Sequence, residues 1–218
     1  SPQKKMSPKD LPSLYRKWLE EEVIYIITAK EKDVFLRLET DREREIFIEA
    51  FWKVRDPDTV TPENEYKKEH YRRIKHADQK YGREGPGAGW RTPMGKIYIL
   101  LGEPAQVYSL ENDSEIYPIV TWFYSGMMEY GLPNSFYVAF FKRSGIGEYE
   151  LYSPIRDGPQ SLIIHFRGDP GDYNSAYAKL YGIDPNIAEV SMTLIPDESG
   201  KLASPSLASE ILVTSKIP

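Results

Sequence analysis

The 218-residue sequence contains no cysteine and only three histidines, His70, His76 and His165. Without a thiol, the chain has no disulfide, thiolate zinc site, iron–sulfur cluster or cysteine nucleophile. A zinc site built from three histidines would require every histidine in the sequence. The composition therefore predicts neither a metal nor a cofactor.

Long apolar segments are also missing. The longest uninterrupted apolar run covers residues 23–27, whereas a membrane-spanning helix needs about 20 residues. The first ten residues are polar and lack the apolar core of a signal peptide, and a signal already removed would leave no trace. The net charge of −5, without a dominant basic region, argues against nucleic acid as a partner.

Charged residues and tyrosines are abundant but unevenly distributed. Residues 1–109 contain 21 Lys or Arg and 19 Asp or Glu, whereas residues 110–218 contain 7 and 14. Eight of the 16 tyrosines fall within residues 98–152, and tyrosine is enriched in strands. The distribution predicts helices with ion-paired faces first and a sheet-rich, tyrosine-rich part afterwards.

Helix signals dominate the first 82 residues. Thr28 and Thr40 each begin a capping-box pattern, which predicts a short helix to about residue 38 and a stronger one to about residue 54. A helix is also predicted over 12–22, and Pro62 favours the start of another that runs to about Tyr81.

The apolar period changes from 3.6 towards 2 after the glycine-rich loop 82–89. Strands or extended segments are predicted over 23–27, 96–101, 120–124, 136–141, 148–152 and 188–195, with later helices over 173–181 and 204–215. Helices followed by strands indicate an α+β fold, with the N-terminal helices packed on a mainly antiparallel β-sheet. We expect a flexible lead-in over 1–10 and one domain over 11–218, helical over about 11–82 and sheet-rich over about 94–218.

Several short motifs follow one another in order between residues 25 and 104. They are Tyr25-Ile-Ile-Thr28, Arg42-Glu-Arg44, Phe47-Ile48, Phe51-Trp52, Arg55-Asp56-Pro57, Asn64-Glu65-Tyr66, Glu69-His70-Tyr71-Arg72-Arg73-Ile74, Gly89-Trp90-Arg91-Thr92, Gly95-Lys96-Ile97 and Gly102-Glu-Pro104. On these motifs the chain resembles the bacterial GWxTD domain family, although the signature ends in Asp and this chain has Pro93. The resemblance implies an uncharacterised domain of exported proteins, hence a periplasmic, envelope-associated or extracellular location after removal of a signal sequence. It implies no activity.

A set of mostly polar motif residues forms the candidate binding cluster. Its members are Arg55, Asp56, Glu65, His70, Arg73, Trp90 and Thr92. They could gather where the helices meet the glycine-rich loop, either as a ligand pocket or as a buried salt-bridge network. Trp90 could be a wedge that holds the loop against the core, or an exposed ring that stacks on a ligand.

Three functional hypotheses follow from these residues. The favoured one is a non-catalytic module for protein–protein interaction or assembly, with no catalytic residue and a tyrosine-rich binding face. The second is an enzyme that uses Glu65, Glu69, His70 and His76 for metal binding or acid–base chemistry, although an ion-paired helix face would give the same pattern. The third is a glycan-binding module that uses Trp90, Trp122 and surface tyrosines.

Overall fold

The computed structural model describes residues 4–83 and 88–193. The chain divides into two compact units, with the boundary between Gly102 and Glu103. The described residues form seven α-helices and one four-stranded antiparallel sheet, which confirms the α+β class. None of the helices described is long and apolar enough to cross a membrane.

The regular elements of the first unit are all helices among its described residues. Its α-helices are α1 (Ser13–Lys17), α2 (Ala29–Phe35), α3 (Asp41–Lys53), α4 (Glu65–Tyr81) and α5 (Pro93–Leu101), and a π-helical turn, Trp18–Glu22, continues α1. Both predicted capping boxes form, at Thr28 and Thr40. The helix predicted from Pro62 ends at Tyr81 as expected, but it begins at Glu65 because the Asn64 side chain accepts the Lys67 N–H and caps it there.

Aromatic rings pack the first three helices together. The Trp18 ring lies 5.0 Å from Phe35 and 5.2 Å, edge to face, from Phe51, measured between ring centroids. Phe47 closes the cluster at 5.3 Å from Phe35. Such pairs contribute about 0.5–1.5 kcal/mol each beyond the apolar area that they bury, so this cluster fixes how α1, α2 and α3 pack.

Two strand predictions in this unit are wrong. Residues 23–27 form a turn that buries Val23 and Ile26 and leaves Ile24 40% exposed, and the N–H groups of Ile26 and Ile27 both donate to the Val23 carbonyl. Residues 96–101 belong to α5, because the Thr92 side chain caps the helix and Pro93 occupies its first position. In both segments most apolar residues are buried or partly buried, with Ile24 as an exception, but local hydrogen bonds decided the backbone conformation.

The second unit contains the sheet. Its strands are β1 (Gln106–Leu110), β2 (Ile119–Ser125), β3 (Ser135–Phe141) and β4 (Glu150–Leu151), in the order β1-β2-β3-β4, and its helices are α6 (Tyr173–Ile183) and α7 (Pro185–Met192). The predictions for β2, β3 and α6 are confirmed, β4 is shorter than predicted, and β1 was not predicted. The helix predicted over 204–215 lies outside the described residues.

The strand predicted over 188–195 is wrong, since residues 185–192 form α7. Asp184 accepts the N–H groups of Asn186 and Ile187 and so begins the helix. One face of the sheet, with Ile119 and Phe141, packs on α6 and α7 in a single apolar cluster. The two helices therefore cover that end of the sheet.

Candidate functional site

Arg55 joins three segments of the first unit. Its Nη1 donates to the Phe51 carbonyl at 3.0 Å, and its Nη2 donates to the Ile26 carbonyl at 3.2 Å and to Glu31 Oε2 at 2.8 Å. Burial raises the pKa of Glu31, but the hydrogen bonds from Arg55 and Thr28 outweigh it and hold this pKa below its ordinary value. Arg55 thus connects the C-terminal end of α3 to the start of α2.

Glu69 on α4 binds two consecutive arginines. Its carboxylate accepts Arg72 Nε at 2.7 Å and Arg72 Nη2 at 2.8 Å, and it also accepts Arg73 Nε at 2.8 Å. The hydrogen bonds from Arg72, together with those from Arg73, lower the pKa of Glu69 to about 2, although burial acts in the opposite direction. Arg73 is buried and its Nη1 lies 3.4 Å from the Ile99 carbonyl, so the charge faces the carbonyl end of α5.

His70 is a buried, neutral imidazole. Its Nε2 lies 2.6 Å from the Glu22 carbonyl, so Nε2 carries the proton that it donates to this oxygen. Burial, with smaller contributions from Arg73 and Arg55, lowers the pKa of His70 to about 4. The Tyr66 ring stacks parallel to it, 6.5 Å away between centroids.

The remaining space at this cluster is small. Side chains of Tyr66, Glu69, His70 and Arg73 line a cavity of about 20 Å³. Such a volume holds about one water molecule. An organic ligand would have to displace the Glu69–Arg73 ion pair or the buried His70 ring, so the geometry favours a buried salt-bridge network in this part of the predicted binding cluster. That the seven residues bind a ligand stays a prediction.

Trp90 and Thr92 belong to a different contact, between α4 and α5. Trp90 is 8% exposed; its backbone N–H donates to Asp78 Oδ1 at 2.9 Å, and its backbone carbonyl accepts the Tyr25 hydroxyl at 2.8 Å. Thr92 Oγ1 donates to the Gly89 carbonyl and accepts the Gly95 N–H. The motif therefore forms a wedge and a helix cap, and Pro93 stands at the first helical position, which proline favours.

Asp56 and Glu65 do not join these buried groups. Asp56 Oδ1 accepts the Asp58 N–H at 3.2 Å, and the exposed Glu65 accepts the Thr61 hydroxyl at 2.5 Å. The helix predicted from Pro62 placed Glu65 correctly on α4, but this prediction could not show that the first turn of α4 lies at the surface.

The four residues of the enzyme hypothesis do not converge. Glu65 bonds to Thr61, Glu69 to two arginines and His70 to a backbone carbonyl, whereas the His76 ring stacks on Tyr98 with centroids 4.2 Å apart. Within residues 4–83 and 88–193, no three His, Asp or Glu side chains come together as a metal site. The geometry gives this hypothesis no support.

The tryptophans of the glycan hypothesis are buried as well. Trp90 is 8% exposed and Trp122 on β2 is 3% exposed. A tryptophan that binds sugar presents one ring face to solvent, and neither ring does so. The proposed glycan surface is left with the tyrosines alone.

The sequence did not predict β1, which is the most exposed element of the sheet. Four of its five residues are exposed, including Val107 at 59% and Tyr108 at 40%. It lies at the edge of the sheet, and no described strand pairs with its outer side. The alternation of polar and apolar residues in Gln106–Leu110, between Pro104 and Asn112, could have indicated this strand. The prediction instead assigned a strand to residues 96–101.

A groove lies beside β1 on the face of the sheet that carries α7. Its volume is about 260 Å³, and it is lined by Gln106, Val107, Tyr108, Thr121, Phe123, Tyr137, Asn186, Glu189 and Val190. The rings of Phe123 and Tyr137 lie 4.9 Å apart between centroids. The Tyr108 hydroxyl donates to Asp184 Oδ2 at 2.5 Å, a bond that raises the pKa of Tyr108.

Comparison with known proteins gives one match. The sequence pattern of the GWxTD domain matches residues 5–153, about two thirds of the chain. This range includes the four strands but ends before α6 and α7. No curated protein and no solved structure matches the chain significantly.

Proposed function

Since this chain belongs to the GWxTD domain family, we propose that it is a non-catalytic exported bacterial module that binds another protein or builds an assembly. It works in the cell envelope or outside the cell, in line with the setting that the resemblance implies. The proposal concerns the second unit, where the exposed apolar and aromatic side chains of β1 and its groove lie.

The observation that carries the proposal is the open edge at β1, where the outer side of the strand pairs with no strand in the part of the chain that the structure describes. An edge strand presents unpaired N–H and C=O groups, and proteins protect such edges with charge, proline or a very short strand. The opposite edge, β4, has two residues, and Glu150 there bonds to Arg143 at 3.0 Å. β1 has five residues, no charge and no proline. An unprotected edge of this kind suits the addition of a strand from a partner.

The side chains in the first unit have a different role under this proposal. Arg55, Glu69 and Arg73 hold helices together through the hydrogen bonds described above. These charged groups form ion pairs and hydrogen bonds within the first unit, so we assign the binding surface to β1 and its groove.

The test is the isolation of the full chain with its native partners from its own cells. A Val107→Lys variant places a charge on the exposed edge, which blocks strand addition with little effect on folding. Ile146→Lys is the matched control, since Ile146 is a 78% exposed apolar residue of the same unit.

We expect the unmodified chain and Ile146→Lys to retain the same specific partner, and Val107→Lys to lose it. A partner retained by Val107→Lys, or a chain isolated without any partner, would contradict the proposal.

A further inference from the structure

The groove beside β1 has a chemistry of its own. We propose that it binds the Lys or Arg side chain of an extended partner segment that pairs with β1. This inference rests on the proposed function, because it takes the open edge as the place where the partner binds.

The geometry places such a side chain within reach of the groove. A strand added to β1 lies about 5 Å from it, and every second side chain points to the same face. On the groove side of β1, Gln106 and Tyr108 line the cavity, with Thr121 and Phe123 on β2 behind them. A long side chain from the added strand crosses β1 on this face and enters the cavity.

The lining is suited to a cation. Tyr108, Phe123 and Tyr137 contribute aromatic rings, whose faces attract ammonium and guanidinium groups. Glu189 is the one charged residue of the described lining, and among the described residues no cation pairs with it. The Tyr108 hydroxyl donates a hydrogen bond to Asp184. This bond fixes the Tyr108 ring, and Asp184 adds a second carboxylate at the α7 end of the groove.

The charge of the unit favours a basic partner over a second copy of this chain. Residues 103–193 contain 12 Asp or Glu and 5 Lys or Arg, a net charge of −7. Glu103 and Glu111 flank β1 on both sides. Pairing of two β1 strands would bring these charges together, whereas a cationic segment is attracted by them.

The experiment uses the full chain, labelled with ¹⁵N, and short extended peptides of alternating Thr and Val. The central residue is Lys, Arg, norleucine or Glu. Chemical shifts of residues 105–110 report pairing with the edge, and those of residues 186–190 report occupation of the groove.

We expect the Lys and Arg peptides to shift both regions and to bind at least about fivefold more tightly than the norleucine peptide, with the Glu peptide weakest. The preference should decrease as salt is added. Equal affinity for Lys and norleucine, or shifts confined to other surfaces, would overturn the inference.

Two variants, each with a matched control, test whether residues of the groove cause the preference for Lys over norleucine. Glu189→Gln and Tyr137→Leu should each reduce the ratio of Lys to norleucine affinity by about threefold or more. Glu129→Gln and Tyr181→Leu, which change exposed residues of the same unit outside the groove, should leave the ratio unchanged. A ratio that is the same in all four variants would contradict the assignment to this groove.

The outcomes separate this inference from the proposed function. Peptides that shift residues 105–110 without a preference for cations refute the groove inference and leave the edge as the binding element. Peptides that leave residues 105–110 unchanged, whatever their charge, contradict both. A chain that forms a dimer through β1 refutes the basic partner in favour of a second copy.

Discussion

Glu69 holds two arginines at once, and this explains why α4 is rich in charge without being simply a solvated face. The carboxylate is 27% exposed, whereas the Arg73 side chain is 8% exposed. A buried guanidinium is costly unless its charge is compensated, so Glu69 and the carbonyl groups of α5 are needed to keep Arg73 in place.

Glu69→Gln should lower the free energy of unfolding by about 1–3 kcal/mol at pH 7, because Arg73 loses its counter-charge. Glu65→Gln, four residues earlier on the same helix and exposed, should change it by less than about 0.5 kcal/mol. Urea unfolding of the unmodified chain and the two variants measures these changes.

Since the pKa of Glu69 is lowered to about 2, the difference in stability between the unmodified chain and Glu69→Gln should shrink as the pH falls from about 4.5 towards 2. Equal losses in both variants would refute the role of Glu69.

His70 makes the stability depend on pH in a separate window. Its pKa is about 4 in the folded chain against an ordinary value of 6.5. Between these values the unfolded chain binds a proton that the folded chain does not, so acid favours unfolding. The free energy of unfolding should fall by about 2 kcal/mol between pH 7 and pH 5 through this residue alone.

His70→Gln keeps a donor for the Glu22 carbonyl but does not titrate. Urea unfolding at pH 7 and pH 5 should therefore show a smaller decrease for His70→Gln than for the unmodified chain. The same decrease in both proteins, or an NMR titration of His70 near pH 6.5, would contradict the buried neutral state.

The junction of α4 and α5 depends on two glycines. A Cβ at Gly89 would lie 1.9 Å from the Ala77 carbonyl oxygen, and one at Gly95 would lie 1.9 Å from the Gly89 carbonyl oxygen. The turn Gly89–Arg91 therefore lies directly against α4, and α5 lies directly against the turn. Close backbone contact, with the buried Trp90 ring, is what the Gly-Trp-x-Thr pattern provides at this position.

Gly89→Ala should lower the free energy of unfolding by about 3 kcal/mol or more, because the turn must move away from α4. Gly182→Ala is the control, since Gly182 lies inside α6 and a Cβ there meets no atom within 4 Å beyond the neighbouring backbone of its own helix. The control should be stabilised by about 0.5–1 kcal/mol through helix propensity. Thermal unfolding distinguishes the two, and a Gly89→Ala chain as stable as the unmodified one would contradict the close contact.

Elements with strong local signals could be predicted from the sequence, and those with conflicting signals could not. The capping boxes at Thr28 and Thr40 identified α2 and α3 because the reciprocal hydrogen bonds are local. α5 was misread because its apolar residues are also strand formers. Thr92 and Pro93, which begin this helix, were considered only in relation to the Gly-Trp-x-Thr motif and not as a helix start.

The candidate site was predictable to a similar extent. The helix predicted from Pro62 to about Tyr81 correctly placed His70 and Arg73 on α4, and the wedge interpretation of Trp90 is consistent with its burial. The burial of these side chains and their contacts with distant segments could not be predicted from the sequence. Spacing along a helix does not tell which turn packs against another element. The groove combines β1, β2, β3 and α7, and no local pattern brings four such elements together.

The two units of the molecule differ in charge and in the use of their polar groups. Up to Gly102 the positive and negative residues nearly balance, and the buried arginines bond within the unit. From Glu103 to residue 193 the net charge is −7, and the sheet has one protected edge and one open edge. The open edge in an acidic unit is the feature on which the proposed interaction depends.

Hydrogen–deuterium exchange of the β1 amides tests this claim most directly. It is measured by mass spectrometry in the free chain and in the assembly isolated from its own cells. The outward-facing amides of residues 106–110 should exchange at least about tenfold more slowly in the assembly, while exchange at β4 should not change. Exchange at β1 that is equally fast in the free chain and in the assembly would contradict a partner strand at this edge.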